Sequence, residues 1–287
     1  MATTSALITG TSSGIGLATA IRLASDGHRV IATMRDTSRS GDLLAAAATA
    51  GVIVEVAELD VTDDASVAEA FARAGDIDIL VNNAGASPVG SIEEFSIDAW
   101  KSLFETNVFG LVRCTQHALA TMRRRQSGHI VNISSITGRT AIPMFGPYSA
   151  TKWAVETISE TLAMEAAIFG IRVSIVEPGA VATPIRDKTG APDRNSPYRP
   201  VAKNWGFSVG YDHVHARGPE EVADVISNAI SNPDTPLRIT VGSGIDELIE
   251  LRSRHSDEAW VELWSSDTAD FLARFTDLTG VDLTKRT

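Results

Sequence analysis

The first two-thirds of the sequence alternate between short apolar runs and longer stretches with helical periodicity. The runs are rich in β-branched residues and apolar on both faces, as is typical of strands buried on both sides in a parallel sheet. This alternation predicts an α/β fold built on one doubly wound parallel sheet of about seven strands. The predicted strands are 6–9, 30–33, 52–56, 77–81, 129–133, 172–176 and 237–241. The predicted helices are 15–26, 41–50, 64–74, 97–125 and 148–169.

Two segments depart from this alternation. Residues 184–218 are rich in Pro, Gly and aromatic residues and show no clear period. A segment of this length inside a compact domain is usually a lid or a binding loop, so we expect the substrate to bind there. From about residue 244, apolar residues return at helical spacing. They predict a helical C-terminal extension, 244–287, of a single domain that spans 1–287.

Composition and charge exclude several classes of function. The formal net charge of −11 argues against nucleic acid or an anionic membrane as a partner. The sequence shows neither an apolar stretch of the roughly 18 residues that a membrane span needs nor a signal-peptide pattern, so we expect a cytoplasmic protein. The single cysteine, Cys114, cannot form an intramolecular disulfide and is interpreted as a core residue. His213 and His215 have no third candidate ligand nearby, and we predict no metal site.

A glycine-rich turn, Thr9–Gly16 (T-G-T-S-S-G-I-G), directly follows the first predicted strand and precedes a helix. Glycines let a ligand approach the backbone, and the free N–H groups and dipole of a helix N-terminus favour an anion. The turn therefore predicts a site for cofactor phosphates, although a purely structural turn would have a similar sequence. The candidate phosphate-binding residues are Gly10, Ser12, Ser13, Gly14, Ile15 and Gly16.

Small residues also follow other predicted strands. Asn82–Gly85 (N-N-A-G) comes after the fourth strand, and Pro178 and Gly179 come after the sixth. Ligands of open α/β sheets lie beyond the carboxyl ends of the strands, so these turns should converge on one crevice. Asp60, after the third strand, could accept a hydrogen bond from an adenine amino group. It could equally cap the helix near residue 64, a task that is also open to Asp63.

Three reactive side chains complete the candidate site. Tyr148 and Lys152 are four residues apart at the start of a predicted helix, so they share a face. A phenol with a pKa near 10 is a poor acid or base at neutral pH, but a neighbouring ammonium group lowers that pKa. Tyr148 could then donate a proton to a carbonyl or accept one from an alcohol. Ser135, just beyond the fifth strand, could hold the reacting oxygen.

Taken together, these motifs resemble those of the short-chain dehydrogenase/reductase superfamily, in its branch of roughly 250-residue oxidoreductases. They occur in the order and spacing of that family from residue 5 to about 185. The early segments are also similar to steroid and retinoid dehydrogenases, which does not assign a substrate. The matching residues are Thr9–Gly16, Asp60, Val61, Asn82–Gly85, Asn107, Ser135, Tyr148, Lys152, Pro178, Gly179 and Thr183.

The resemblance implies a Rossmann fold, a nicotinamide cofactor and carbonyl–alcohol redox chemistry. It implies that Tyr148 is the general acid/base and that Lys152 lowers its pKa and binds the nicotinamide ribose. Ser135 would polarise the substrate oxygen, and Asn107 would anchor a water that relays protons. The cofactor contacts implied outside the glycine turn are Asp60, Val61, Asn83, Ala84, Gly85, Tyr148, Lys152, Pro178, Gly179 and Thr183.

The end of the second predicted strand bears on the choice between NADP(H) and NAD(H). NAD enzymes usually place an acidic residue there to bind the ribose 2′-hydroxyl. In the register of the family that position is Met34, which cannot accept a hydrogen bond, and Arg35 follows. An arginine can pair with a 2′-phosphate, and Ser12 could add a hydroxyl contact. We therefore predict NADP(H), while NAD(H) stays possible because a shifted register would place the Asp36 carboxylate against the phosphate.

The sequence thus predicts an NADP(H)-dependent oxidoreductase that interconverts a small-molecule carbonyl (a ketone or aldehyde) and an alcohol by hydride transfer. One alternative is a non-enzymatic NADP(H)-binding redox sensor on the same fold. A sugar-nucleotide epimerase or dehydratase is disfavoured by the spacing of Gly10, Gly14 and Gly16. We expect a homodimer or homotetramer, paired through the long helices at 97–125 and 148–169.

Overall fold

The computed structural model describes residues 4–184, 195–214, 216–242 and 245–285. In that part of the chain, seven strands form one sheet in the order β3-β2-β1-β4-β5-β6-β7. Every neighbouring pair is parallel, which confirms the predicted doubly wound sheet. The strands are β1 Ser5–Thr9, β2 Arg29–Met34, β3 Glu55–Glu58, β4 Ile79–Asn82, β5 Gly128–Ile133, β6 Ile171–Pro178 and β7 Arg238–Val241.

Helices connect the strands and extend the chain beyond the sheet. The helices are α1 Gly14–Ser25, α2 Gly41–Ala50, α3 Asp64–Ala74, α4 Ile97–Phe104, α5 Gly110–Arg125, α6 Gly146–Ala166, α7 Arg199–Val214, α8 Pro219–Ser231, α9 Ile245–Arg254, α10 Asp257–Ser265 and α11 Thr268–Thr279. The stretch 97–125 is not one regular helix, because a π-helical turn, Glu105–Phe109, separates α4 from α5. Apolar periodicity hardly changes across one wider turn, so the sequence pattern did not show it.

Each face of the sheet is covered by helices, which explains the apolar character of the strands on both sides. Helices α1, α2 and α8 pack on one face, and α3, α5 and α6 pack on the other. Cys114 of α5 is fully buried in the second core, and burial raises the pKa of its thiol to about 12. Cys114 is therefore a core residue, as its neighbours predicted.

The segment 184–218 differs from the irregular loop that the sequence indicated, because it contains the helix α7. Gly206 and Gly210 lower the helix propensity of this stretch, which hid it from pattern analysis. Tertiary contacts hold it in place: the Asn204 side chain donates to the backbone oxygens of Trp264 and Ser266 at 3.3 and 3.0 Å. Residues 185–194 and 215 of this segment lie outside the described part of the chain.

The C-terminal helices form the predicted helical extension. An aromatic cluster holds α10 and α11 together, and Phe207 of α7 packs against it. Trp260 also donates from its indole nitrogen to the backbone oxygen of Ala141 at 3.1 Å. Through these contacts the extension supports both α7 and the loop before α6. The buried members of the cluster are Trp260, Leu263, Trp264, Phe271, Phe275 and Leu283.

The described residues contain neither a membrane-spanning helix nor a metal-binding cluster. None of the helices there has the length and apolar content needed to cross a bilayer. In the same residues, no group of three His, Cys, Asp or Glu side chains could hold a metal ion. The side chains of His213 and His215 lie outside what the structure describes.

Candidate active site

The glycine-rich turn after β1 adopts a shape that side chains would obstruct. Gly10 and Gly14 have φ angles of +73° and +60°, which L-residues rarely adopt. A Cβ on Gly10 would lie 2.9 Å from the Cα of Ala84. A Cβ on Gly16 would lie 2.5 Å from the amide nitrogen of Asn83 and closer still to the Gly10 carbonyl oxygen. The three glycines thus let α1 begin directly above the carboxyl end of the sheet.

Asn83 ties the loop after β4 to this turn. Its side-chain amide donates to the backbone oxygens of Thr9 and Gly10 at 2.9 and 3.0 Å. In return, the Thr9 hydroxyl accepts from the backbone N–H groups of Asn83 and Ala84, both at 3.0 Å. The side chain of Asn83 therefore holds the glycine-rich turn in its shape from within the protein. Thr9, which the motif analysis did not single out, is its reciprocal partner.

The N-terminus of α1 suits an anionic ligand. Ser13 is the N-cap with an extended backbone, and its side chain makes no capping hydrogen bond. First-turn N–H groups that no capping side chain engages are donors that a phosphate can use. The Thr183 side chain, beyond β6, lies against Gly14, so a third loop borders the same place.

Three further cofactor candidates, Asp60, Val61 and Pro178, lie at or just after the carboxyl ends of β3 and β6. The Asp60 carboxylate accepts from the N–H and hydroxyl of Thr62 at 2.9 and 2.7 Å, while Asp63 caps α3. The N-cap of α3 is therefore Asp63 and not Asp60. Val61 packs against Gly110 of α5, and Pro178 is buried at the end of β6.

Ser135, Tyr148 and Lys152 come together where β5 ends against the first turn of α6. The Lys152 ammonium donates to the Ile133 carbonyl at 2.8 Å and lies 5.6 Å from the centre of the Tyr148 ring. The Ser135 side chain lies near enough to the Tyr148 phenol to lower the pKa of that phenol by hydrogen bonding. The Ser135 hydroxyl also accepts from the backbone N–H of Thr137 at 3.2 Å. The two hydroxyls and the ammonium therefore form one constellation at the carboxyl edge of the sheet.

Burial shifts both titratable members of this constellation toward their neutral forms. It raises the pKa of Tyr148 to about 12, and the hydrogen bond with Ser135 partly opposes that rise. Burial likewise lowers the pKa of Lys152 to about 8, and the negative charge of Glu156 opposes that fall. At neutral pH Tyr148 is a protonated phenol, and most Lys152 side chains still carry a charge.

Asn107 lies in the π-helical turn between α4 and α5 and fastens two parts of the site. Its side-chain oxygen accepts from the N–H of Ala86 at 2.9 Å, and its amide donates to the Ala86 carbonyl at 2.9 Å. The same amide donates to the Thr151 hydroxyl at 3.1 Å, and that hydroxyl donates to the Tyr148 carbonyl at 2.7 Å. π-helical turns are frequent at functional sites. Thr151 is a supporting residue that the sequence analysis missed, although a hydroxyl three residues after Tyr148 can reach back to its carbonyl.

The end of β2 presents a cation to solvent. Met34 is buried, with 3% of its surface exposed, and Arg35 is the first exposed side chain after the strand. The Asp36 carboxylate accepts from the N–H and hydroxyl of Ser38 at 3.0 and 2.6 Å, and this hydroxyl is the main reason that the pKa of Asp36 is lowered. Asp36 therefore caps the 3₁₀ turn Thr37–Arg39, and its carboxylate is hydrogen-bonded to Ser38 of that turn.

Comparison with known families agrees with this geometry. The family described as short chain dehydrogenase matches residues 4–194, a span that contains the glycine turn, Ser135, Tyr148 and Lys152. This chain belongs to the short-chain dehydrogenase family. It is an NAD(P)-dependent oxidoreductase that acts on CH–OH and C=O groups of small molecules, as the motifs predicted.

Individual relatives share most of the length of this dehydrogenase. Human retinol dehydrogenase 8 is 40% identical over 252 residues, which cover 81% of this chain and 79% of that protein. Human 17-beta-hydroxysteroid dehydrogenase type 1 is 37% identical over 267 residues, which cover 88% of this chain and 81% of that protein. Among solved structures, actinorhodin polyketide ketoreductase with NADPH superposes with a TM-score of 0.72 at 30% identity, covering 85% of this chain and 97% of that one.

Proposed function

We propose that this dehydrogenase uses NADP(H) to interconvert a ketone or aldehyde with the corresponding alcohol, with Tyr148 as the general acid/base. The observation that carries the proposal is the junction of β5 and α6. There the Tyr148 phenol, the Ser135 hydroxyl and the Lys152 ammonium gather beside a glycine cradle. A phenol flanked by a hydroxyl and an ammonium is suited to proton transfer at a carbonyl oxygen.

The residues present fit a dinucleotide. Gly10, Gly14 and Gly16 form a cradle that Cβ atoms would fill, and the first turn of α1 offers N–H groups to a pyrophosphate. Asn83–Gly85, Pro178, Gly179 and Thr183 would border the rest of the cofactor, and Lys152 would bind the nicotinamide ribose. When bound, the nicotinamide supplies or accepts the hydride.

In the reductive direction, Ser135 and Tyr148 donate hydrogen bonds to the substrate oxygen, and Tyr148 transfers its proton to it. Preorganised donors of this kind are worth about 3–4 kcal/mol each in the transition state. The Lys152 ammonium then stabilises the phenolate that remains. In the oxidative direction, the same phenolate accepts the proton of the alcohol. Asn107 holds the loop after β4 against α6 and so fixes the position of Tyr148.

The preference for NADP(H) rests on Arg35. Its exposed guanidinium follows β2, where a ribose 2′-phosphate would lie, and a guanidinium–phosphate pair is charge-assisted and bidentate. The competing carboxylate, Asp36, is engaged by Ser38 in the next turn. The ketoreductase to which this chain is similar was solved with NADPH, which supports the same choice.

A homodimer or homotetramer is part of the proposal. Phe109, Trp153 and Met164 expose 50%, 50% and 66% of their surfaces on or beside the long helices α5 and α6. A groove of about 300 Å³ runs between these two helices, lined by Leu119 and Ile158 among others. Light scattering on the purified protein tests this, and a monomer at micromolar concentration would contradict it.

Substrate assays test the activity. Purified protein is mixed with NADPH or NADH and a panel of steroid, retinoid, polyketide-like and simple aryl ketones, and absorbance at the nicotinamide band is followed. We expect turnover with NADPH for at least one class. Tight NADPH binding without turnover of any carbonyl, or of the matching alcohols with NADP⁺, would contradict the proposal and favour the redox-sensor alternative.

A further inference from the structure

A cluster of four buried or half-buried charges lies behind the active site. Glu156 of α6 and Glu177 of β6 expose only 4% and 0% of their surfaces. Arg139, which follows the 3₁₀ turn Ile136–Gly138, contacts Glu177 at 3.1 Å, and Arg238 of β7 contacts Glu156 at 2.9 Å. Arg238 also lies 3.5 Å from Glu177. Burying charged groups is costly unless they are paired and hydrogen-bonded.

The two carboxylates are not equally neutralised. Glu177 lies within ion-pair distance of both guanidinium groups. Glu156 accepts from Arg238 through one oxygen, and its other oxygen is buried without a hydrogen-bond partner among the described residues. Arg238 is in turn shared with the half-exposed Glu160 at 2.6 Å. The negative charge of Glu156 is therefore less completely offset by cations than that of Glu177, and it can interact with other charged groups nearby.

Lys152 lies one helical turn before Glu156, so both side chains leave the same face of α6. Gly138, the last residue of the 3₁₀ turn Ile136–Gly138, lets that turn pack closely on this face of α6. A Cβ there would lie 2.8 Å from the Ser134 hydroxyl oxygen, 3.1 Å from the Cγ of Glu156 and 3.1 Å from the Lys152 carbonyl. Lys152 and Glu156 expose only 7% and 4% of their surfaces, and charges act over longer distances where water does not screen them.

Among the described residues, the charged and titratable groups around Lys152 and Glu156 are few. Tyr148 and Glu160 flank Lys152 and Glu156 on α6 itself. Arg139 faces them from the segment after β5, Glu177 from β6 and Arg238 from β7. Of these groups, Glu156 is the acidic one closest along the helix to Lys152.

We propose that Glu156 is a positioning residue for the proton transfer, because its carboxylate keeps the neighbouring Lys152 in the ammonium form that stabilises the Tyr148 phenolate. This inference rests on the proposed function of Tyr148 and Lys152. Burial alone drives a lysine toward its neutral form. Glu156 opposes this for Lys152, while the hydrogen bond from Arg238 holds the Glu156 carboxylate in place.

Lysine NMR tests the proposal without relying on turnover. The chain has five lysines, so a protein labelled with ¹³C at lysine Cε gives few signals, and Lys152→Met assigns that of Lys152. We expect Glu156→Gln to lower the titration midpoint of Lys152 by about one unit, as loss of a nearby opposite charge does. At pH 8 the charged fraction would fall from about one half to about one tenth. Glu160→Gln is the matched control, since Glu160 contacts the same Arg238, and it should leave the midpoint within about 0.2 units.

An unchanged midpoint in Glu156→Gln, or equal shifts in the two variants, would overturn the inference. Should Glu156→Gln fail to fold, Glu156→Met decides, because it replaces the buried carboxylate with an uncharged side chain of similar length. The titration midpoint of Lys152 should again fall by about one unit, and an unchanged midpoint would contradict the proposal.

Activity measurements separate this inference from the proposed function. In Glu156→Gln the high-pH decline of kcat for carbonyl reduction should move about one unit lower, with little change at pH 6, whereas Glu160→Gln keeps the wild-type profile. A shifted NMR midpoint in a protein that reduces no carbonyl would refute the proposed function alone. Wild-type turnover with an unshifted midpoint would refute the role of Glu156 alone.

Discussion

Lys152 donates from its ammonium group to the backbone carbonyl of Ile133 at 2.8 Å. This bond joins the last residue of β5 to the second turn of α6, and Ser135 follows Ile133 by only two residues. The strand end and the helix are thereby held together, which keeps the Ser135 hydroxyl near the Tyr148 phenol. This bond to a main-chain atom acts together with the side-chain contacts of Asn107 and Thr151 that hold Tyr148.

Arg35→Ala tests the preference for NADP(H). Loss of a charge-assisted pair with the 2′-phosphate should weaken NADPH binding by about 10- to 100-fold, which corresponds to about 1.5–3 kcal/mol. NADH lacks that phosphate, so its Kd should change less than threefold. Fluorescence titration of both cofactors measures the difference. Arg73→Ala, which removes an exposed arginine paired with Glu69, serves as the control. Equal losses for both cofactors would remove the basis for assigning NADP(H).

Gly16→Ala tests the cradle. The added Cβ would overlap the Gly10 carbonyl oxygen and the Asn83 amide, so α1 must shift away from the turn. We expect cofactor binding to fall at least tenfold and the protein to lose about 1–3 kcal/mol of stability, as overpacked sites do. Gly206→Ala is the matched control, because a Cβ there meets nothing within 4 Å. It should leave cofactor binding intact and stabilise α7 slightly, by up to about 1 kcal/mol. Similar cofactor affinities in the two variants would show that the cradle is not used.

His129 predicts an acid-sensitive stability. It is buried on β5 beside Ser174 and Arg172, and burial, reinforced by the charge of Arg172, lowers its pKa to about 3. Below pH 6.5 the unfolded chain binds a proton at His129 that the folded protein does not bind. The contribution of His129 to the free energy of unfolding is therefore fully present above pH 6.5 and is lost progressively between pH 6.5 and pH 3. The loss at pH 5 is about 2 kcal/mol.

Urea unfolding at pH 7 and pH 5 measures this loss. The difference between the two pH values should be smaller by about 2 kcal/mol in His129→Gln than in the wild type. If both proteins lose the same stability on acidification, then His129 does not stay neutral in the folded state.

The sequence predicted most of the sheet because buried parallel strands have a strong local signature, but β3 is Glu55–Glu58 and not the apolar run 52–56. It missed α7, where Gly206 and Gly210 weaken helix propensity and contacts of Asn204 with the C-terminal helices decide the structure. Thr9 and Thr151 were also missed, since their roles lie in hydrogen bonds to residues that only the fold brings near. Motif residues are visible in a sequence, whereas the partners that hold them are set by tertiary structure.

The central claim, that Tyr148 is the proton donor, is tested most directly by single-turnover reduction in Tyr148→Phe. The wild type and the variant are saturated with NADPH, mixed with the best ketone of the panel, and followed by stopped-flow absorbance. We predict that the variant binds NADPH within threefold of the wild type and that its hydride-transfer rate falls by at least about 10²–10⁴-fold, the range for loss of a general acid. A variant that keeps more than a tenth of the wild-type rate would contradict the assignment of Tyr148.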